Sequence, residues 1–112
     1  MSYWVAPGCG GWNTILGRTL NATANIAYAV AGGVRDGSPG LLITEWGDGG
    51  HLQPLATALP SVVRAGAAAT SGEMPDDDAV AATIDDIAAL PAGTGSLLDR
   101  LGGIAESLGV VQ

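Results

Sequence analysis

The run that most constrains the fold is Leu41-Leu42-Ile43 followed at once by Thr44-Glu45-Trp46-Gly47-Asp48-Gly49-Gly50-His51. Three aliphatic residues in a row read as the end of a buried strand. Straight after them the chain delivers two carboxylates, an indole, flexible backbone and an imidazole. A strand that stops in this way resembles the C-terminal edge of a sheet in an α/β protein, where such folds build their sites.

The flanking segments fit that frame. Tyr3-Trp4-Val5-Ala6 is a short β-type run ended by Pro7-Gly8, and residues 7–17 form a glycine-rich loop around Trp12. From Arg18 to Arg35, Leu20, Ala24, Ala27, Ala31 and Val34 recur at helical spacing, with Ile26 and Val30 beside them. Asp36-Gly37-Ser38-Pro39-Gly40 stops that helix. A strand over 41–45 then reads as covered on both faces. Pro60 opens a second helix, expected over 60–69. The order strand, helix, strand, helix predicts parallel pairing.

Past Ser71-Gly72-Glu73-Met74-Pro75 the composition shifts. Asp76, Asp77 and Asp78 sit where acids favour a helix start, and Val80, Ile84, Ile87 and Leu90 make one stripe. After the break at Pro91–Gly95, Ser96 is placed to cap a last helix carrying Leu97, Leu101, Ile104 and Leu108. The expected division is residues 1–70, an α/β unit, and 71–112, a helical extension.

Composition limits the partners. The chain has 112 residues, a net charge of −7 and no lysine; its cations are Arg18, Arg35, Arg64 and Arg100, well apart. Nucleic acid and anionic membrane both call for clustered positive charge, so neither is expected. Phenylalanine is absent, so the core should be thin. Cys9 is the one cysteine, which excludes an internal disulfide. No run approaches the roughly 18 apolar residues of a membrane span. No basic segment leads into an apolar run at the start, so no signal peptide is read and a cytoplasmic location is expected. Asn21-Ala22-Thr23 matches the glycosylation triplet but falls inside the expected helix.

No cofactor is expected. Pro7-Gly8-Cys9-Gly10-Gly11 follows a strand, yet Asn13 stands where a dinucleotide fingerprint needs its third glycine, and a P-loop needs lysine. Asp48 and His51 are too few to hold zinc. Glu45 and Asp48 are candidate acid and base, although strand alternation sets Glu45 on the face opposite Thr44 and Trp46. Trp46, with Trp12 on the earlier loop, has two readings. An indole flanked by acids suits a sugar, its face taking the C–H side of a pyranose; equally, both indoles can cover the end of a sheet.

Several runs carry a family likeness: Trp12-Asn13-Thr14, Gly17-Arg18-Thr19, Asn21-Ala22, Ala24-Asn25-Ile26, Gly40-Leu41-Leu42-Ile43-Thr44 and, most specifically, Trp46-Gly47-Asp48-Gly49-Gly50-His51-Leu52-Gln53-Pro54-Leu55. Together they resemble the last barrel strands of bacterial glycoside hydrolase family 20, the β-N-acetylhexosaminidase-like enzymes, over residues 3–70. The resemblance implies two consecutive βα units of a (β/α)8 TIM-type barrel. It also implies retaining chemistry in which the substrate's own acetamido group is the nucleophile. By the same resemblance Trp46 walls the −1 sugar site and Asp48, in place of the family's glutamate, accepts from the outer hydroxyls. Outside that carry-over, Trp12 on the earlier loop is a further candidate substrate contact, and Glu45 and His51 complete the candidate set, Glu45 with a structural role expected and His51 with its role open. A full barrel takes about 250 residues and eight strands. The family's adjacent Asp-Glu pair, which supplies its acid, has no counterpart here. The resemblance therefore implies a carbohydrate-binding C-terminal portion, inactive alone, for an N-acetylhexosamine-containing sugar, seeking the missing barrel portion or a second copy. The alternative expectation is a non-enzymatic interaction protein that docks a partner through its helical tail.

Overall fold

Helical periodicity and its breakers decide most of the architecture. The computed structural model describes residues 1–48 and 50–109, with Asn13 described by its backbone alone; Gly49 of the motif lies outside the described residues. Four α-helices follow in order: α1 (Thr19–Asp36), α2 (Leu59–Ser71), α3 (Asp77–Ile87) and α4 (Thr94–Ser107), with 3-10 turns at Gly11–Asn13 and Leu55–Ala58.

α1 ends where the Asp36-Gly37 break requires. Gly37 takes φ 68° and its N–H closes back on Gly33 and Val34. The buried face is not the expected one. Ala22, Ile26, Val30 and Gly33 point inward, while Leu20 and Val34 are exposed. Two apolar stripes overlap on this helix. The contact with α2 selects the one whose Ile26 and Val30 mesh with the small Ala65 and Ala68. Leu41, Ile43 and Met74 pack around that cluster. α2 carries Pro60 in its first turn, where a missing N–H costs nothing.

α3 is capped by Asp76, whose carboxylate accepts from Ala79 N at 2.7 Å, and it buries Val80 and Ile84. Ile87 stays exposed, and Leu90 lies beyond the helix. α4 begins earlier than expected: Gly93 is its N-cap, and Ser96 falls inside the helix. Asp85 reaches across from α3 to accept from Gly93 N and Gly95 N at 2.7 and 2.6 Å. The inner face of α4 is Gly95, Gly102 and Gly103. The approach is so close that a Cβ at Gly95 would strike the Ala81 carbonyl, and one at Gly102 would strike Thr19 Oγ1. The apolar stripe of α4 is therefore turned out, with Leu97 and Leu108 at 58% and 72% exposure.

The α/β expectation is corrected. The described residues contain no strand and no sheet; the fold is helical, and it is not a pair of βα units of a TIM-type barrel. The segments expected to be strands do lie side by side, but only through two isolated parallel bridges, Val5 to Leu41 and Gly8 to Thr44. Four backbone hydrogen bonds join them: Val5 N to Gly40 O, Leu42 N to Val5 O, Thr44 N to Pro7 O and Cys9 N to Thr44 O. The physical reason is length and isolation. A run of three aliphatic residues cannot by periodicity tell a strand from other buried segments. Here no third segment extends the pairing among the described residues, and Leu42 is 58% exposed, so this run is not covered on both faces.

Charges tie the helices together across the expected boundary at 70/71. Arg64 on α2 is 2% exposed, and its guanidinium is tied to two acids. It donates to both oxygens of Asp99 on α4 at 2.8 Å and to Asp77 at the start of α3 at 2.6 Å. These partners hold its pKa above the ordinary value, Asp99 foremost, against the opposing effect of burial. At the other end of α4, Glu106 accepts from Leu20 N and Asn21 N at 2.9 and 3.0 Å, capping α1, whose own N-cap residue Arg18 makes no side-chain cap.

These contacts set two expected stability outcomes. The Asp99 side chain is 15% exposed and that of Asp77 78%. Asp99→Asn should therefore cost about 3 kcal/mol in urea unfolding, and Asp77→Asn under about 1 kcal/mol. Ala89, just past α3, is held at φ 51°. Ala89→Gly should relieve that strain and raise stability by about 1 kcal/mol, seen as a higher urea midpoint at unchanged slope.

Candidate functional site

The strand-end motif folds back on itself. Glu45, although placed by alternation opposite Trp46, is the hub of a side-chain cluster. Gln53 Nε2 donates to Glu45 Oε1 at 2.8 Å, and His51 Nε2 lies 3.0 Å from the same oxygen. The turn at Gly11–Asn13 presses directly on this carboxylate, where a Cβ at Gly11 would collide with Glu45 Oε1. Glycine at 11 is thus a packing requirement and leaves no phosphate cradle to explain.

Cys9 belongs to the same cluster. Its thiol is pushed up to about 12, first by burial and then by the neighbouring Glu45 carboxylate; a hydrogen bond with Ser61 pulls weakly the other way. A thiol so held stays protonated at neutral pH and is a poor nucleophile. Sequence reasoning left the role of Cys9 open. Its signal was the apolar, carboxylate-bearing setting that only the fold supplies. Gln53 was likewise missed as a partner of Glu45, being eight residues away and in a loop.

Trp46 is turned the other way. The indole is 55% exposed, and Nε1 donates to Thr44 Oγ1 at 3.1 Å. Its Cδ1 edge stands near Gly8, about 4.0 Å from where a Cβ would be. Asp48 is exposed on the following turn and has no side-chain hydrogen bond or ion pair among the described residues. Trp12 is 41% exposed, with the Arg18 guanidinium 5.8 Å from its ring centroid, within cation–π range. The structure thus brings Glu45, His51 and Gln53 together in a bonded cluster, and leaves Trp46 and Asp48 facing solvent.

The chemistry open to this arrangement is narrow. Glu45 Oε1 is held by His51 and Gln53 while Asp48 stands in solvent, so the two carboxylates occupy different settings. Among the described residues no group of three or more His, Cys, Asp or Glu is arranged to hold a metal ion, and no helix is long and apolar enough to cross a membrane. A groove of about 850 Å3 lies elsewhere, between α1, α4 and the link into α3, lined by Leu20, Met74, Ile104 and Arg64 among others. None of the motif residues lines it. No protein-family model, curated protein or solved structure matches the chain.

The thiol gives a measurable consequence. Between 9.0, the ordinary thiol value, and about 12, the unfolded chain releases the Cys9 proton while the folded chain keeps it. The folded state then binds more protons, so stability falls as pH rises through that window. Urea midpoints should decline above pH 9, and less steeply in Cys9→Ala. Iodoacetamide should leave the native thiol unmodified at pH 8 and alkylate it in urea.

Proposed function

We propose that the Trp46 end of this chain contacts an N-acetylhexosamine-containing sugar, as a binding portion related to β-N-acetylhexosaminidase-like hydrolases, and that it does not hydrolyse the sugar alone. The observation that carries the reading is the exposed indole held by its edge on the Thr44 hydroxyl, with the exposed Asp48 two residues further along the same loop. A fixed flat apolar face next to a hydrogen-bond acceptor is what a pyranose needs: stacking for its C–H side and a carboxylate for its hydroxyls. The corrected fold lends the family likeness no support, so the reading rests on the residues of the 44–55 loop. The absence of hydrolysis follows from the chemistry, because Glu45 is engaged in structure and Asp48 has no positioned acid as its counterpart.

A second reading is favoured by the outward stripe of α4. Leu97, Leu101, Ile104 and Leu108 recur at spacings of four, three and four, the seam of a short coiled coil. The acids of that helix point away from it, since Asp99 is bound to Arg64 and Glu106 caps α1. A second copy of an acidic chain therefore meets no like charge on the seam. Light scattering on the eluting protein decides it: a monomer at all concentrations removes this reading.

Titration of the protein with N-acetylglucosamine, followed by amide and indole NMR, tests the main one. Shifts should gather at Trp46 and Asp48. Trp46→Ala should weaken binding by about tenfold, as expected for loss of one stacking contact. Wild-type protein should release no nitrophenol from nitrophenyl N-acetylglucosaminide. Shifts scattered over α3 and α4, or none at all, would sink the sugar reading; turnover would sink the claim of inactivity.

A further inference from the structure

The Trp46 indole is aimed by a relay that begins in the neighbouring chain segment. Thr44 is fixed on both sides of its backbone: its N–H donates to Pro7 O at 2.9 Å and its carbonyl accepts from Cys9 N at 2.8 Å. Its hydroxyl donates to the same Pro7 carbonyl at 3.1 Å, which leaves the hydroxyl's lone pairs free to accept from Trp46 Nε1 at 3.1 Å. Residues two apart in extended backbone share a side, so the geometry needs no distortion.

From this we infer that Thr44 is the positioning residue of the sugar-contact surface, an inference that rests on the sugar reading above. The Thr44 hydroxyl fixes the tilt of the Trp46 ring and also consumes the one donor an indole has. Trp46 therefore offers a ligand its face and no hydrogen bond, and the ligand's polar groups must be met elsewhere, at Asp48. Without the hydroxyl the ring turns about its side-chain bonds, and the ordering cost moves to the binding step.

Thr44→Val and Thr44→Ser separate the hydroxyl from the shape of the side chain. Two readouts are taken on each: the Trp46 indole N–H resonance, identified by its loss in Trp46→Phe, with its exchange rate with water; and the affinity for N-acetylglucosamine. In Thr44→Val the resonance should move upfield and exchange faster, and affinity should fall roughly fivefold, the scale of one lost hydrogen bond. Thr44→Ser should restore both. An unchanged indole signal in Thr44→Val, or a serine variant as impaired as the valine one, overturns the inference while leaving the sugar reading standing. If wild-type protein binds no sugar, that reading falls, and the indole resonance alone decides whether Thr44 holds the ring.

Discussion

The buried guanidinium of Arg64 is the constraint on which the arrangement of helices depends. One side chain on α2 meets α3 at its first turn and α4 along its length, through Asp77 and the two oxygens of Asp99. Burying a cation is costly unless its donors are met, so any packing that separated these elements would strand a charge. The apolar side of the fold is correspondingly slight. Its central cluster is Ile26, Val30, Ala65 and Ala68, two of them alanines. In a core this thin, directional charge contacts contribute specificity that shape alone does not supply, and the registry of α3 and α4 on α2 is set by them.

How much of this could be read from the residues differs by element. α1 and α2 were legible because Asp36-Gly37 and Pro60 mark their ends chemically. α3 was legible from three successive aspartates ahead of an apolar stripe. The inner face of α4 was not, because glycine is silent in a hydropathy pattern yet permits the closest approach between helices. Leu41-Leu42-Ile43 misled for the opposite reason, since three aliphatics signal burial without saying what form the backbone takes. Arg64 did not stand out among four scattered cations; its setting in an alanine-rich helix, with acids downstream, was the available clue.

The candidate site divides in the same way. Strand alternation correctly set Glu45 apart from Thr44 and Trp46, since a period of two is a property of extended backbone whether or not a sheet forms. What the sequence did not contain was the company Glu45 keeps: a thiol from position 9, an amide from 53 and the backbone of a turn at 11, joined only when the loop closes. Acidic residues beside an indole looked like one site. In the fold they have different settings, Glu45 bonded to His51 and Gln53 and Asp48 exposed.

The carboxylate that caps α1 belongs to a residue 86 positions further along the chain than the N–H of Leu20 it accepts from. Helix starts are usually completed by a neighbour a few residues upstream, so that a helix carries its own beginning. Here α1 borrows its beginning from α4. During synthesis the N–H groups of Leu20 and Asn21 emerge 86 and 85 residues ahead of the carboxylate that accepts from them. Closing such a long loop is slow compared with forming a turn. Docking of α4 on the start of α1 is therefore expected to follow the formation of α1 itself, and loss of the Glu106 carboxylate should loosen the first turn of α1.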